Sequence, residues 1–476
     1  MNRKRTKIIA TLTDKHCEPD FIKSLFEAGM NIVRINSAHC DVEGALKLIR
    51  NTRAVSDRIA ILIDTKGPEI RTTICDAPIN LEQGDLVLLT GDIDKKTDNK
   101  CINVTYKAIA DEIPVGSIIL IDDGELELKV LKKKGNSLEC SIENSGILGS
   151  RKSVNIPGVR IHLPSLTEKD RKFIRMAIDE DLDFIAHSFV RSKKDVQDVQ
   201  SILDEAGSKI KIIAKIENQE GVDNIDEILG SVYGVMIARG DLAIEVPFER
   251  IPALQRMLID RCIKHRKPVI VATQMLHSMI QNPRPTRAEV SDIANAIYSQ
   301  TDAIMLSGET ASGKYPVEAV KTMSKIALET EINKEPYLEI PAGNIAGEIS
   351  AYLAKVAVKT SLRIGARGII ADTAEGKTIR DMAAYRGRNL ILARCYSKRA
   401  VRELALSYGV YANYQEKLGS ADEFIRLALR SLIDSHDLRD DDIMVILAGN
   451  FSGGSGFSFI EAGTVSYLKD RVSIRF

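Results

Sequence analysis

Short, continuous apolar blocks alternate with amphipathic segments from the start of the chain. Residues 7–12 (KIIATL), 31–36 (NIVRIN) and 60–65 (AILIDT) have strand length. Between them, Glu18–Ala28 carries Phe21, Ile22, Leu25 and Phe26 at helical spacing, and Val42–Val55 predicts a second helix. An uninterrupted apolar run suits a strand buried on both faces, and strand–helix alternation predicts a parallel sheet. After Thr65 the pattern changes. From Pro68 to Pro157 long helical periodicity is missing, and short segments such as Asp85–Leu89, Ser117–Ile121, Glu125–Leu131 and Leu138–Ile142 are punctuated by Gly, Asn and Asp. This predicts a small β domain inserted after the third strand.

The alternation then resumes. A helix is predicted over Ser165–Asp181. Strands follow at Asp183–Phe189, Ile210–Glu217, Gly234–Asp241, Pro268–Gln274 and Ala303–Ser307. Helices at Lys194–Ala206, Asp223–Leu229, Pro252–His265, Thr286–Ser299 and Pro316–Thr330 alternate with them. The prediction is an α/β fold, a (β/α)8 barrel formed by residues 1–67 and 158–333 with an inserted small β-barrel lid at 68–157. Glu331–Ala342 holds two prolines and reads as a linker. Residues 343–476 restart with a helix at Ile345–Ser361 and strands at Gly368–Ala371, Leu390–Ala393 and Asp442–Ala448, a smaller α/β domain.

In such a barrel the chemistry sits at the carboxyl ends of the strands. Those ends carry Arg34 and Asn36 with His39 beyond, then Asp64, Lys66, Glu69 and Arg71, Ser188 and Phe189, Lys215 and Glu217, Arg239, Gly240 and Asp241, Thr273 and Gln274, and Ser307 and Glu309. Ser188 and Phe189 read as packing. Glu217 and Asp241 are two hard oxygen ligands on neighbouring strands, a pairing suited to Mg²⁺ or Mn²⁺, with Lys215 as a fixed cation beside them. Cations and metal-type carboxylates on one rim suit a phosphorylated anionic substrate, and thus phosphoryl transfer or enolate formation. No GxxxxGK[ST] loop and no Ser-His-Asp arrangement is evident. A metal-enolate lyase acting on an oxoacid and an inactive relative kept as a binding protein stay open at this level.

Composition narrows the classes. With 66 basic and 66 acidic residues the net charge is +0, which argues against a broad footprint for nucleic acid or anionic membrane. No segment approaches the ~20 apolar residues of a spanning helix, and the basic start MNRKRTK lacks the apolar stretch of a signal peptide. Seven scattered cysteines without a CxxC indicate neither disulfides nor zinc and fit a reducing cytoplasm.

Several long motifs then carry a resemblance. LIDTKGPEIRT (62–72), KIIAKIENQEG (211–221), MIARGDLAIEVP (236–247), VATQMLHSMIQNPRPTRAEVSDIANA (271–296) and IMLSGETASGKYP (304–316) resemble the pyruvate kinase family. The resemblance implies conversion of phosphoenolpyruvate and ADP to pyruvate and ATP by a homotetramer. It implies that Glu217 and Asp241 hold Mg²⁺, and that Lys215 offsets charge on the phosphoryl group and the enolate. Arg34 would contact phosphate. Ala238, Arg239, Gly240 and Asp241, through backbone groups, would cradle the substrate carboxylate with Thr273, also a candidate proton relay. Arg71, His39 and Lys169 would contact nucleotide or phosphate, near Asn36. Asn36, Asp64 and Thr65 would hold K⁺, and Glu69 is the residue whose carboxylate goes with K⁺ dependence. Ala38 stands where the family has a serine, with Ser37 beside it. In the last domain, DTAEGKT (372–378) resembles a loop for a phosphorylated effector, but Glu375 replaces a serine there, so a plain surface loop is the competing expectation. An effector loop is also implied near GSGF (454–457).

Overall fold

The computed structural model describes residues 3–335, 349–435, 437–449 and 459–472. Eight parallel strands close a barrel: β1 Lys7–Leu12, β2 Ile32–Asn36, β3 Ala60–Asp64, β4 Phe184–His187, β5 Lys211–Ile216, β6 Gly234–Ala238, β7 Val269–Ala272 and β8 Ala303–Leu306. β8 pairs back onto β1. Side chains along a strand alternate between faces. Ile9, Ile32, Leu62, Ala186, Ile213 and Met236 cluster in one core, inside the barrel. Ile8, Val33, Ile61, Ile185, Ile212 and Val235 belong to another, against the surrounding helices. The same parity continued toward the strands' carboxyl ends puts Thr11, Arg34, Asp64, Ser188, Lys215 and Glu217 on the inward side. The period of two thus delivers six polar residues to one rim.

The helix Glu168–Asp179 starts later than its apolar pattern suggests because Thr167 and Asp170 form a capping box. Asp170 Oδ1 also accepts from the backbone N–H of Lys66 at 2.8 Å, tying that helix start to the entry of the inserted domain. The insertion is a seven-stranded sheet plus a two-stranded one. It has its own core, including Ile119, Leu128 and Leu138. Its two joints contain Gly67 and Gly158, at φ 72° and 74°.

The last domain is a five-stranded sheet of β9 Gly368–Thr373, β10 Leu390–Cys395, β11 Val410–Tyr414, β12 Ile443–Ala448 and β13 Phe459–Thr464, in the order β11-β10-β9-β12-β13. It docks on the amino-terminal face of the barrel. Leu406 from this domain is fully buried within the barrel's inner core, a plug for its lower mouth. Lys7 faces the same way, donating to the Val410 carbonyl with its ammonium 4.3 Å from the Tyr411 ring centroid.

The structure departs from the sequence-based expectation at several points. The strand expected over Gly234–Asp241 ends at Ala238, where its pairing with β7 stops, and Arg239–Glu245 is helical. The helix expected at Asp223–Leu229 is two, Gln219–Asp223 and Ile225–Leu229, broken at Asn224. Glu331 and Ile332 belong to the helix Pro316–Ile332 rather than to a linker. β11 and β13 were not anticipated, being edge strands that are only partly buried and lack a continuous apolar run. The start of the helix expected at Ile345–Ser361, most of the linker and GSGF (454–457) lie outside the described residues.

Candidate active site

The rim residues of β2 to β5 form one buried charge network. Arg34 Nε donates to Asp64 Oδ2 at 2.7 Å, and its Nη1 donates to the Thr11 hydroxyl at 3.0 Å. Lys215 Nζ lies 2.7 Å from Ser188 Oγ, 2.8 Å from Glu217 Oε1 and 3.2 Å from Asp64 Oδ1. Ser188 Oγ donates in turn to the Thr65 carbonyl at 2.6 Å. Glu217 Oε2 accepts from the backbone N–H of Phe189 at 2.7 Å, and Phe189 sits at φ 54° to offer it.

Burial disfavours charge on each of these groups, and their neighbours decide the outcome. For Asp64, burial is outweighed by Arg34 and Lys215, which hold its carboxyl below the usual range. For Lys215, burial is outweighed by Asp64 and Glu217, which raise the ammonium above its ordinary value. Glu217 differs. Burial, with help from Asp241, lifts it to about 7 against the pull of Lys215. Asp64 is therefore the settled counter-charge of Lys215, and Glu217 is a carboxylate short of positive charge.

That shortage bears on metal binding. Asp241 makes no hydrogen bond or ion pair among the described residues, and it is close enough to act electrostatically on Glu217. Two mutually repelling carboxylates with hard oxygen donors fit a divalent cation between them. Among the described residues there is no cluster of three or more His, Cys, Asp or Glu suited to a metal. Substrate and water would have to complete the shell, as is usual for Mg²⁺.

A second group forms at the ends of β6 and β7. Thr273 Oγ1 accepts from the backbone N–H of Gly240 at 2.9 Å and donates to the Ala272 carbonyl at 2.7 Å. Arg239 turns its guanidinium to Asp292 and to the carbonyls of Ala272 and Thr273. A cavity of about 470 Å³ separates lid from barrel and is bordered by Glu69, Asn155, Arg191, Asn218, Asp241 and Glu245.

Other predicted residues stand apart from the network. Arg71 lies in the lid, 2.7 Å from Glu69 and donating to the Arg151 carbonyl. His39 is exposed on the loop after β2. Lys169 has its ammonium 5.5 Å from the Phe173 ring centroid and acts electrostatically on Cys40 of that loop. Asn36 Oδ1 accepts from the Ala38 N–H at 3.1 Å. Ser188 and Phe189, read as packing, instead touch Lys215 and Glu217, and Thr11 escaped notice. Counting by twos from Ile9 finds Thr11, and from Ala186 it gives the inward direction of Ser188.

A closed barrel with a lid, carrying fixed cations and a metal-type carboxylate pair, defines a metal-dependent enzyme acting on phosphorylated anions, a phosphotransferase. Residues 3–320 match the family model of the pyruvate kinase barrel domain, and residues 352–458 match that of the pyruvate kinase alpha/beta domain. A pyruvate kinase from Borreliella burgdorferi is 47% identical over 98% of both chains. One from Geobacillus stearothermophilus is 42% identical over 95% of this chain and 79% of its own. A crystal structure of a pyruvate kinase from Cryptosporidium parvum superposes with a TM-score of 0.92 at 34% identity, covering 98% of this chain and 96% of that one. The chain belongs to the pyruvate kinase family, whose members transfer the phosphoryl group of phosphoenolpyruvate to ADP and require a divalent metal. No helix among the described residues is long and apolar enough to cross a membrane.

Proposed function

We propose that the rim of β2 to β7 carries out this reaction, with Lys215 as the group that offsets charge on the transferring phosphoryl and the resulting enolate. The observation that carries the reading is the raised Glu217 beside an unpaired Asp241, next to a Lys215 kept charged by Asp64. Phosphoryl transfer asks little covalent help of a protein and much preorganised charge. Arg34, braced by Asp64 and Thr11, holds the phosphate. Glu217 and Asp241 hold Mg²⁺ or Mn²⁺, which when bound supplies positive charge against substrate oxygens. Backbone groups of Ala238–Asp241 receive the substrate carboxylate, and the Thr273 hydroxyl relays a proton to the enolate. Arg71, His39 and Lys169, with Asn36, face the nucleotide. Closure of the lid over the 470 Å³ cavity excludes water.

K⁺ is proposed at Asn36, Asp64 and Thr65. Ser37 supports this reading, because its hydroxyl is buried with no partner among the described residues, and its backbone N–H donates to the Asp64 carbonyl. Glu69 supports it less, since Arg71 and Lys66 lie 2.7 and 3.7 Å from its carboxylate and already offset its charge. A homotetramer working in the cytoplasm is in keeping with the family and with seven free cysteines. A phosphorylated effector at 372–378 is the least supported part, since Glu375 repels phosphate.

The test is pyruvate release from phosphoenolpyruvate and ADP. Lys215→Met lowers turnover by about 10²–10³, the loss typical of one preorganised electrostatic donor. Turnover within a factor of about three of wild type would remove Lys215 from this role.

A further inference from the structure

The family resemblance places the backbone of Arg239 in the substrate cradle, and its guanidinium is engaged elsewhere. Nη1 donates to Asp292 Oδ1 at 2.8 Å and reaches Gln255 Oε1 at 3.4 Å. Nη2 donates to the Thr273 carbonyl at 2.6 Å, and Nε to the Ala272 carbonyl at 3.3 Å. Thr273 and Gln274 lie at φ 70° and 55°. A β-branched residue in the left-handed region is a genuine outlier, and it persists only where its surroundings over-determine it. The carbonyls of Ala272 and Thr273 stand on either side of the Thr273 α-carbon, so their relative orientation is set by that residue's φ and ψ. One rigid guanidinium bonded to both therefore restrains the two dihedrals together. Its far end is anchored on two different barrel helices, through Gln255 in Ile251–Lys264 and Asp292 in Arg287–Tyr298.

We propose that Arg239 is a positioning residue for the reaction. It acts through Thr273, gripping the carbonyls on both sides of it and holding its hydroxyl beside the Gly240 N–H at the rim. The inference rests on the reading of Thr273 as the proton relay. It also assigns a purpose to the aspartate of TRAEVSD (286–292), which lies outside the site but holds the clamp. Lysine cannot replace it fully, because an ammonium lacks the planar fork that reaches two carbonyls and two anchors at once.

The experiment measures steady-state kinetics of Arg239→Gln, Arg239→Lys, Asp292→Asn, Thr273→Ala and the Arg239→Gln/Thr273→Ala double variant in the full-length enzyme. Arg239→Gln is expected to lose about 10–100-fold in kcat, the scale of a small misplacement transmitted to a reacting group, with KM for phosphoenolpyruvate changed by less than about three-fold. Arg239→Lys recovers part of the loss, and Asp292→Asn, at an anchor only partly buried, loses less than Arg239→Gln. The double variant is no slower than Thr273→Ala alone, because a clamp with nothing to hold has no further effect. Losses that multiply in the double variant, or an Arg239→Gln with kcat within a factor of two of wild type, overturn the proposal while leaving the relay intact. A Thr273→Ala enzyme with full turnover overturns both. If Arg239→Gln loses its native circular dichroism, Asp292→Asn combined with Thr273→Ala serves as the same cycle.

Discussion

Gly67 offers a quantitative test of how the lid joint is coupled to the charge network. It follows β3 at φ 72°, and a Cβ placed on it would stand 2.7 Å from Phe189 Cδ2 and 2.9 Å from Ser188 Cβ. Neither neighbour is free to yield, since Phe189 donates its N–H to Glu217 and Ser188 bridges Lys215 to Thr65. Two penalties add in Gly67→Ala. A left-handed backbone costs an L-residue about 1–2 kcal/mol, and overpacking a filled site costs about 1–3 kcal/mol. The stiffer unfolded chain returns about 0.4–1 kcal/mol, leaving a net loss of about 1–5 kcal/mol. Gly158, at the other joint, has φ 74° and nothing within 4 Å of its virtual Cβ, so Gly158→Ala carries the backbone penalty alone. Urea unfolding of the two variants isolates the steric part as their difference, about 1–3 kcal/mol. Only Gly67→Ala also loses turnover, because Ser188 moves against Lys215. Equal stabilities within about 0.5 kcal/mol, the scale of an ordinary surface change, together with wild-type kcat for both, would refute the contact.

The remaining predictions concern charge. Glu217→Gln and Asp241→Asn each weaken divalent metal binding; Mn²⁺ titration followed by electron paramagnetic resonance, with circular dichroism unchanged, measures it, and wild-type affinity in both would sink the assignment. His187 is fully buried with neither ring nitrogen bonded among the described residues, and burial pushes it down to about 4. Its folded pKa lies below its unfolded value of 6.5, so the unfolded chain binds more protons between the two. Its contribution is complete above pH ~6.5 and falls by roughly 3 kcal/mol as pH drops to ~4. His187→Leu should flatten that acid limb in unfolding measured across the same range, and an unchanged limb would count against it. Activity should require K⁺ in buffers whose ionic strength is held by a large organic cation, and Ser37→Ala should raise the K⁺ concentration needed for half activation; full activity without K⁺ contradicts the site.

The barrel was legible in the sequence because each of its strands is a local apolar run buried on both faces, and such a run marks itself without reference to its partners. Period-two alternation then carries Arg34, Asp64, Lys215 and Glu217 onto the inward face from residues as plain as Ile32, Leu62 and Ile213. The insertion was legible as a change of period, and its glycine joints as residues able to take positive φ.

Other features depended on contacts between distant parts of the chain. β11 and β13 lie at sheet edges, where the pairing partner rather than a run of apolar residues makes the strand. Leu406 looks like any leucine until the domain carrying it docks under the barrel. Thr11 meets Arg34 because β1 and β2 pair in that register, and Ser188 meets Lys215 across the neighbouring strands β4 and β5. Arg239 shares a short helix with Asp241, yet its direction is decided by Asp292, Gln255 and two carbonyls at the end of the next strand. Local patterning governs which face a side chain leaves from. Where a long, flexible and charged side chain ends up is governed by the partners that offset its burial, and those are assembled only when the chain folds.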